Sequence, residues 1–436
     1  MSDPRRAAAA ALIKQEQGGY ANLVLAHALE RFEGDGRDRA FLSAIFYGTV
    51  ERMATIDYLL NLFLSRPLPQ MDRTVRAVLR SGLYQARWMD GVPVHAAVSE
   101  SVALCRRMGK AGAAGMVNAV LRRAAAVDLA VCAFRDELER LCVLYSVSRP
   151  VAQLLSRAYP QQAEAILTAS FRRPAVCVRV NRLKIGPEQL ACILAEEGVL
   201  SAPGPVTDSL VLENAGDVTK LRAFAKGLFH VQGAASQLAC AALGAQPGWK
   251  VADLCAAPGG KTATLAQHLQ GQGVVYSRDV RAGRVGLIRQ LVRRLGLENV
   301  RTACADAAEY DDALAGCDGV LCDVPCSGLG TLAKKPDERY KDLQGLMQLQ
   351  ALQLRILTVG ARYVRPGGRL VYSTCTLNPG ENQEIAEEFL RSHPEFRALP
   401  LEGAPASACK TGEFVTLLPL DGLTDGFFIA SFERLW

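Results

Sequence analysis

The spacing of apolar residues divides the chain into three regions, of which the first is helical. Over residues 1 to about 140, apolar side chains recur at i, i+3, i+4 and i+7, the period of an amphipathic α-helix. The clearest segments are ANLVLAHALERF (21–32), AFLSAIFYGTVERMATIDYLLNLFL (40–64) and TVRAVLRSGLYQARWM (74–89). Glycine and proline interrupt these runs at lengths typical of single helices. We therefore expect an all-α N-terminal domain over residues 1–143.

In the second region the apolar residues alternate with a period of two. AVCVRVN (175–181) and DSLVLENA (208–215) are also rich in β-branched residues, as strands are. LKIGPEQLACILAEEG (183–198) predicts a helix entered through Gly-Pro, and SAPGPVTDS (201–209) predicts a loop. These segments predict a small α/β module over residues 144–235.

In the third region short apolar strands alternate with helices. The predicted strands are KVADLCAA (250–257), VVYSRD (274–279), VRTACADA (300–307), GVLCDVPC (319–326) and RLVYSTC (369–375). Strands that are apolar on both faces and joined by helices form a parallel, doubly wound sheet. Residues 236–436 are therefore expected to form an α/β, Rossmann-like domain.

The composition is that of an ordinary globular protein and narrows the classes of function. Of 436 residues, 50% are hydrophobic and 22% are charged, and no run approaches the roughly 18 uncharged apolar residues of a membrane span. The N-terminus MSDPRRAAAA lacks the apolar core of a secretory signal. The 13 cysteines are therefore expected to be reduced thiols in a cytoplasmic protein. This excludes a membrane, collagen-like or secreted disulfide-rich protein.

The net charge of +6 is unevenly distributed. Residues 1–150 carry 20 Lys and Arg against 15 Asp and Glu, whereas residues 236–436 carry 21 against 22. A basic region beside a neutral one suits a protein that holds a polyanion with one part and performs chemistry with another. Ordinary scatter of surface charge explains a difference of this size equally well, so charge alone does not decide the function.

The first chemical motif lies where the first strand of the third region turns into a helix. It reads Asp253-Leu-Cys-Ala-Ala-Pro-Gly-Gly-Lys-Thr262, and Gly259 and Gly260 let a ligand approach the backbone at a helix N-terminus. The ending Gly-Lys-Thr also occurs in phosphate-binding P-loops. That motif requires a glycine five residues before its last glycine, where this chain has Cys255. The P-loop interpretation therefore fails.

Three carboxylates follow, each near the end of a successive predicted strand. Asp279 lies about 20 residues beyond the glycines, where nucleotide-binding sheets place a carboxylate on ribose hydroxyls. Asp306 ends the third strand, in position to face an adenine edge, and Asp323 ends the fourth. One such carboxylate is often only a polar cap, but three in series favour a site. Residues suited to bind ribose and adenine, in a chain without a phosphate-binding loop, favour S-adenosylmethionine as the ligand over NAD or ATP.

Two cysteines complete the set. Cys326 and Cys375 each follow a predicted strand at its carboxyl end, where open α/β sheets bind their ligands. A single cysteine at a strand end is usually inert packing. A zinc site built on Cys317, Cys322 and Cys326 is the other alternative, but no second Cys pair follows and no histidine lies in this region. We therefore expect no metal.

A pair of thiols beside a carboxylate suits methylation of a pyrimidine at carbon-5. Carbon-5 becomes nucleophilic only after a nucleophile has added to carbon-6; a thiolate makes that adduct, and loss of the carbon-5 proton later expels it. Asp323 is placed to protonate or hydrogen-bond N3 and so lower the cost of addition. Enzymes that methylate exocyclic amines carry an aromatic residue where this chain has Cys326. On spacing alone, Cys326 and Cys375 are equally good nucleophiles.

Together these motifs resemble the NOL1/NOP2/Sun family of RNA cytosine-5 methyltransferases, and within it the bacterial Sun/RsmB type acting on 16S ribosomal RNA. The resemblance is carried by DLCAAPGGKT (253–262), DVPCSGLG (323–330), YSTCTLNPGENQ (372–383) and DGFFIA (425–430). It covers essentially the whole chain. It implies a NusB-like RNA-binding domain over residues 1–143, an RRM-like module over 144–235 and a class I methyltransferase domain over 236–436.

The resemblance also implies roles for individual residues. Cys375 is the nucleophile, Cys326 assists breakdown of the covalent adduct, and Lys261 reaches into the catalytic centre, which also includes Asp323. The expected reaction transfers a methyl group from S-adenosyl-L-methionine to carbon-5 of a specific cytosine in 16S rRNA through a Cys–C6 adduct. The donor-binding residues are Cys255, Ala256, Ala257, Pro258, Gly259, Gly260, Lys261, Asp279, Asp306 and Asp323.

The expected partner is ribosomal RNA, free or in a pre-ribosomal particle, with the target cytosine unpaired or flipped out. We expect a monomer. Ala333-Lys-Lys-Pro-Asp337 stands where the family usually has Arg-Arg-x-Pro-Asp, and Gly380 stands where an acid is common. Candidate RNA contacts are Arg122, Arg123, Arg179, Asn181, Lys334 and Lys335, of which the first two suit a solvated helix face equally well.

Other functions would use the same residues. Transfer RNA or large-subunit rRNA would serve the same chemistry, and an RNA-binding ribosome-assembly factor would use the fold with catalysis secondary. The assembly factor is disfavoured because every catalytic position is filled here. DNA cytosine methyltransferases share the chemistry but resemble PCQ-type nucleophile motifs and lack an N-terminal RNA-binding pair.

Overall fold

Helices make up the N-terminal part of the chain, as the apolar spacing predicts. The computed structural model describes residues 3–403 and 408–436. It divides into one unit of Met1–Phe171 with Leu332–Leu343, and another of Arg172–Thr331 with Gln344–Trp436. The domain boundaries at 143/144 and 235/236 stay predictions. The first unit contains α1 (Pro4–Gln15), α2 (Ala21–Glu30), α3 (Gly36–Glu51), α4 (Met53–Asn61), α5 (Arg73–Trp88), α6 (Val94–Arg107), α7 (Ala114–Ala125), α8 (Glu137–Tyr145), α9 (Arg149–Ala158) and α10 (Ala163–Ala169).

Local sequence signals explain where several of these helices begin. Asp3, Asp35 and Asp72 precede α1, α3 and α5, and each accepts hydrogen bonds from two backbone N–H groups of the first turn. The continuous apolar run over 40–64 is nevertheless split between α3 and α4 at Arg52. The guanidinium carbon of Arg52 lies 3.5 Å from the ring centroid of Phe171, a contact that no local pattern shows.

The segment Leu332–Leu343 belongs to the helical unit, although the residues on either side of it in sequence do not. Arg339 is 0% exposed and donates to the Ser170 carbonyl at 2.7 Å and to the Ser170 hydroxyl at 2.8 Å. The Tyr340 hydroxyl donates to the Val50 carbonyl at 2.8 Å. These buried contacts anchor a segment that the sequence places within the methyltransferase-like region.

The small module is an antiparallel sheet in the order β2-β3-β1-β4. Its elements are β1 (Val176–Val180), α11 (Pro187–Glu196), β2 (Leu200–Pro203), β3 (Ser209–Glu213), α12 (Arg222–Ala225) and β4 (Phe229–Val231). The predicted loop over 201–209 is thus partly wrong, because its first three residues belong to β2 and its last residue begins β3. The edge strand β2 is largely exposed and pairs through its backbone, so it carries no apolar alternation.

The remaining strands form a mixed sheet in the order β11-β12-β13-β9-β8-β5-β6-β7, with β10 paired to β13. Its strands are β5 (Lys250–Asp253), β6 (Val274–Asp279), β7 (Val300–Cys304), β8 (Cys317–Asp323), β9 (Val364–Thr374), β10 (Phe396–Leu399), β11 (Cys409–Thr411), β12 (Phe414–Leu417) and β13 (Phe427–Arg434). The helices of this part are α13 (Ala234–Leu243), α14 (Gly260–His268), α15 (Ala282–Leu295), α16 (Leu346–Tyr363) and α17 (Gln383–Ser392). The five predicted parallel strands, β5 to β9, are confirmed. Strands β10 to β13 add antiparallel pairs that were not predicted from the sequence.

The order of the strands explains where a ligand can bind. The chain runs outward from β5 through β6 to β7, then returns to place β8 and β9 on the other side of β5. Helices on either side of this reversal leave a crevice outside the carboxyl ends of β5 and β8. The predicted donor motif follows β5, and Asp323 ends β8.

Candidate active site

The glycine-rich turn after β5 lies at the start of α14, as predicted. Gly259 has φ +108°, a left-handed conformation that favours glycine, and a Cβ on it would lie 3.2 Å from the Cα of Ile288. Its neighbour Gly260 begins the helix. Backbone N–H groups at the first turn of a helix are available to a ligand. The turn therefore combines close backbone packing on one side with free donors on the other.

Asp279 is buried at the end of β6 and belongs to the same turn. Its carboxylate accepts the Ala257 N–H at 3.3 Å and the Arg281 N–H at 3.1 Å. The Arg284 guanidinium lies 3.4 Å from the carboxylate and also donates to the Ala257 carbonyl at 2.8 Å. Each carboxylate oxygen has a second lone pair, so Asp279 can still accept hydrogen bonds from a ribose.

The other donor-site carboxylate, Asp306, lies two residues beyond the end of β7. It is exposed, and its side chain accepts the Ala308 N–H at 2.9 Å. The turn residues Cys255, Ala256 and Ala257 are buried or half-buried, whereas Pro258 is exposed. The sheet thus places the predicted donor-binding residues along one edge, at the carboxyl ends of β5, β6 and β7.

Asp253 lies at this edge of the sheet, beneath the glycine-rich turn. It was not predicted from the sequence to be a site residue. It is fully buried, and burial raises its pKa to about 7. One carboxylate oxygen accepts the Thr262 hydroxyl at 2.7 Å, and the other has no hydrogen-bond partner within the described part of the chain. An acceptor left open beneath the turn, together with carboxylates at successive strand ends, fits a ligand that offers hydroxyl and amine donors, as S-adenosylmethionine does.

Asp323 and Lys261 form a close ion pair at the carboxyl end of β8. The Lys261 ammonium lies 2.7 Å from one carboxylate oxygen of Asp323, and the Ser373 hydroxyl donates to the other at 2.8 Å. Burial alone would lower the pKa of Lys261, but the adjacent Asp323 carboxylate outweighs this and raises it. The same ammonium lies 3.2 Å from the Ser236 hydroxyl. The structure therefore pairs Lys261 with Asp323, a contact that was not predicted from the sequence, and the catalytic roles of both residues stay predictions.

The two predicted catalytic thiols are in direct contact. The sulfur atoms of Cys326 and Cys375 lie 3.3 Å apart, just beyond the ends of β8 and β9. The hydrogen bond to Cys375 and then burial raise the pKa of Cys326 well above its usual range, and the Glu381 carboxylate adds to this shift. Cys326 is therefore a protonated thiol near neutral pH and can donate its S–H to Cys375.

Glu381 organises the two cysteine loops and was not identified from the sequence. It is 0% exposed. One oxygen accepts the Ser327 N–H at 2.8 Å and the Gln353 side-chain amide at 3.0 Å. The other accepts the Asn378 amide at 3.0 Å and the Ser327 hydroxyl at 2.5 Å. Because Ser327 follows Cys326 and Asn378 lies just beyond Cys375, a single carboxylate fixes both thiols relative to each other.

A sequence signal for Glu381 did exist. Glu381 lies six residues beyond Cys375 in the motif YSTCTLNPGENQ, and it directly follows the Asn-Pro-Gly turn that comes after that cysteine. Nothing local, however, shows that its donors come from residue 327 and from α16. These partners meet only when β8 and β9 pair in parallel.

The predicted RNA contacts in the second unit have different environments. Asn181 is 0% exposed, and its amide donates to the Gly227 and Leu295 carbonyls at 2.9 Å each. In the structure it serves to tie these two backbone segments together, and its contact with RNA stays a prediction. Arg179 is also largely buried and donates to the Thr207 carbonyl at 2.6 Å.

In the helical unit the predicted contacts are accessible. Arg122 and Arg123 are exposed near the end of α7; Arg122 bonds to the side chain of Asn118, and Arg123 lies over the ring of Phe63. Lys334 and Lys335 are exposed in the segment that also contains Arg339. Their contact with RNA stays a prediction.

Neither a metal centre nor a membrane span is present in residues 3–403 and 408–436. No group of three or more His, Cys, Asp or Glu side chains there is arranged to hold a metal ion. No helix in those residues is long and apolar enough to cross a bilayer. All thirteen cysteines lie in the described residues, and none of them forms a disulfide there.

Comparison with known proteins supports each region separately. Family models match the NusB family over residues 2–126, an RsmF/B-like methyltransferase ferredoxin-like domain over 151–219, and 16S rRNA methyltransferase RsmB/F over 240–433. These matches confirm the predicted fold class of a NusB-like helical part, a small α/β module and a methyltransferase domain.

Full-length relatives are also similar to this chain. Ribosomal RNA small subunit methyltransferase B of Xanthomonas campestris is 36% identical, covering 91% of this chain and 89% of its own. The protein of the same name from Pseudomonas putida is 33% identical over 99% of both chains. Among solved structures, a methyltransferase homologue protein from Pyrococcus horikoshii superposes with a TM-score of 0.62 at 30% identity, covering 69% of this chain and all of that one.

Proposed function

The chain belongs to the ribosomal RNA small subunit methyltransferase B family, as its motifs predict, and from this premise we propose that it methylates carbon-5 of a cytosine in 16S rRNA through a covalent thiol adduct. Family membership makes it a methyltransferase of small-subunit rRNA. The methyl donor, the target atom and the covalent route are the parts that we add.

The observation that carries the proposal is the contact between Cys326 and Cys375 beside the Asp323–Lys261 pair. A methyltransferase acting on an amine or hydroxyl needs no thiol at this edge, because the target atom is itself nucleophilic. Carbon-5 of a pyrimidine requires a prior addition at carbon-6, and a thiolate is the strongest nucleophile a side chain offers for it. Two thiols in contact suit both steps of this route: one can add to carbon-6, and the other, protonated, can assist the later elimination.

The roles of the residues follow from their contacts. Cys375 adds to carbon-6, which forms the S–C6 bond and moves an electron pair toward carbon-5. Because Asp323 is the carboxylate of an ion pair, the proton that N3 takes up as charge develops there comes from the Lys261 ammonium at 2.7 Å through Asp323, and N3 returns it by the same route when the adduct breaks down. After methylation a base removes the carbon-5 proton and the S–C6 bond breaks. Cys326 assists this departure by donating its S–H to the Cys375 sulfur.

The donor is proposed to lie against the turn formed by residues 255–261. S-adenosylmethionine, when bound, supplies an electrophilic methyl group at its sulfonium. Asp279 and Asp306 offer acceptors for ribose and adenine, and the open oxygen of Asp253 offers another beneath the turn. The first turn of α14 supplies free N–H groups, and Gly259 keeps that turn close to α15.

The test is methyl transfer from labelled S-adenosylmethionine to 16S rRNA that lacks its native methylations. Wild type, Cys375→Ala and Cys326→Ala are compared, with Cys192→Ala as a control because Cys192 is an exposed thiol on α11. We expect 5-methylcytosine with wild type and Cys192→Ala, no product with Cys375→Ala, and a denaturation-stable protein–RNA adduct with Cys326→Ala.

Two outcomes would contradict parts of this proposal. Full activity of Cys375→Ala would exclude the covalent role of that thiol. Donor binding without label on 16S rRNA, but with label on transfer RNA or large-subunit rRNA, would keep the chemistry and change the substrate.

A further inference from the structure

A polar pocket lies at the opposite edge of the sheet from the thiols. It has a volume of about 690 Å³, within the range of small-molecule sites. The small module lines one side and the residues around the start of β5 and the end of α14 line the other. Because α14 begins at the thiol edge and runs for nine residues, its far end is about 13 Å away along the helix axis. The lining includes Arg179, Arg182, Asp208, Gln246, Gln267 and His268.

The pocket contains buried polar atoms without partners. Gln267 is 3% exposed, and neither its amide nitrogen nor its amide oxygen is hydrogen-bonded to any residue that the structure describes. The Nε of Arg179 is likewise buried and unpartnered among these residues. A buried amide that makes no hydrogen bond costs roughly 1–3 kcal/mol, so such groups usually await a ligand or an ordered water.

The charges of the pocket favour an anion. Two guanidinium groups share one carboxylate: Arg179 lies 3.5 Å from Asp208 and Arg182 lies 3.3 Å from it. Arg182 is about half exposed, so its remaining donors face solvent at the pocket mouth. His268 adds no charge near neutral pH, because burial and then the charge of Arg179 lower its pKa to about 4. Guanidinium groups pair readily with phosphate oxygens.

Two residues of the lining also have left-handed backbone conformations. Asp208 has φ +63° and Gln270 has φ +50°. Non-glycine residues with positive φ are uncommon, and they often hold side chains at ligand sites. Both line the pocket together with Gln267.

We propose that this pocket binds one nucleotide, with its phosphate at Arg182 and Arg179 and a base edge against the Gln267 amide. A Gln amide offers one donor and one acceptor side by side, which matches base edges such as N6/N7 of adenine. The nucleotide can belong to the RNA strand outside the target site or be a free mononucleotide, and the chemistry of recognition is the same. The RNA source rests on the proposed function.

The test measures binding separately from methyl transfer. Gln267→Leu removes the amide at nearly constant volume, and Arg182→Gln removes the charge at the mouth. Arg301→Gln is the control, because Arg301 is an exposed arginine on β7 outside the pocket. The probes are a 16S rRNA fragment by filter binding over a range of salt, and AMP by calorimetry, both without methyl donor.

We expect Gln267→Leu to weaken binding of the RNA fragment about fivefold, the loss of one or two hydrogen bonds. Arg182→Gln should weaken it and reduce the slope of log affinity against log salt by about one unit. In methylation assays both variants should raise the RNA concentration needed for half-maximal rate, and Arg301→Gln should behave as wild type.

The remaining outcomes distinguish an RNA nucleotide from a free nucleotide as the ligand, and the pocket proposal from the proposed function. AMP binding that both variants lose, with RNA affinity unchanged, supports a free nucleotide as the ligand. Unchanged binding of both probes in both variants overturns the pocket, even if the wild type methylates RNA. A wild type that does not methylate, with the variant effects on binding intact, overturns the proposed function and leaves the pocket standing.

Discussion

The thiol edge of the sheet and the pocket at its other edge both bury polar side chains, but they satisfy them differently. At the thiol edge, Glu381 accepts hydrogen bonds from four residues, and Asp323 accepts from Lys261 and Ser373. In the pocket, Gln267 has no partner among the described residues.

A reaction centre gains from groups whose positions are fixed before substrate arrives, since reorganisation is then not part of the barrier. A binding site gains from groups that only the ligand satisfies, since those contacts add to affinity. The difference between the two edges therefore indicates what each one does, and substitutions can test it.

The largest expected effect is a fall in the methyl-transfer rate when the Asp323 carboxylate at the thiol edge is removed. Asp323→Asn should lower the single-turnover rate of methyl transfer to 16S rRNA about 10²- to 10⁴-fold, because N3 loses its acid. Asp318→Asn is the matched control: it lies on the same strand, is 20% exposed against 26% for Asp323, and is also paired to a cation. An equal loss in both variants would show that only the stability of β8 matters.

The next effect concerns stability rather than rate. Glu381→Ala should lower the free energy of unfolding by about 3–5 kcal/mol, since it leaves buried donors of two loops without an acceptor. Glu381→Gln keeps the shape and one acceptor and should cost less. Urea denaturation measures both, with exposed Glu384→Ala on α17 as control. A loss as small as that of the control would exclude a role for Glu381 in holding the thiol loops.

The two edges should also respond to pH with opposite signs. The pKa of Asp253 is raised by burial to about 7, so the ligand-free folded protein holds a proton that the unfolded chain releases above about pH 4. Its contribution to stability is therefore lost as pH rises from about 4 to 7, by up to about 4 kcal/mol. Asp253→Asn should remove this loss in urea titrations across that range.

At the pocket edge the dependence of stability on pH has the opposite sign. The pKa of His268 is lowered to about 4, mainly by burial, so the unfolded chain binds a proton that the folded chain does not between about pH 4 and 6.5. Stability from this group is present above that range and is lost as pH falls through it. His268→Gln should flatten this part of the profile. If Asp253→Asn and His268→Gln changed the pH dependence of the unfolding free energy in the same direction, the raised pKa of Asp253 and the lowered pKa of His268 could not both be right.

The smallest effect compares two buried polar side chains on one helix. Thr262 bonds to Asp253 and Ser277, so Thr262→Val should cost about 1–3 kcal/mol of unfolding free energy. Gln267→Leu removes an unpartnered amide from α14 and should leave stability unchanged or raise it by about 1 kcal/mol. Thermal unfolding of the two variants distinguishes them. Equal destabilisation would mean that Gln267 is satisfied within the fold.

Much of the sheet could be predicted from local pattern. The predicted strand VVYSRD (274–279) matches β6 to the residue, and the predicted helical segment TVRAVLRSGLYQARWM (74–89) matches α5 to within one residue at each end. Such segments are unambiguous because their side chains are buried on both faces or along one continuous stripe. Short or exposed strands, such as β2 and β4, carry no comparable pattern.

The antiparallel strands β10 to β13 illustrate a second limit. Phe427–Arg434 is apolar and long enough to predict a strand, but its pairing with β9 in the register Phe428 to Thr374 is a nonlocal choice. The anchoring of Arg339 in the helical unit is of the same kind. Both depend on which surfaces meet after the chain has folded.

The sequence by itself determined the family, the strand–turn–helix that bears the donor motif, and the presence of two thiols and a carboxylate at strand ends. These follow from residue type and spacing, because hydrophobic period and backbone conformation are local properties. Only the tertiary structure decided that Cys326 and Cys375 touch, that Glu381 serves both loops, that Asn181 is buried and that Gln267 is left without a partner. Burial and hydrogen-bond satisfaction are properties of what surrounds a side chain, and residues distant in sequence supply those surroundings.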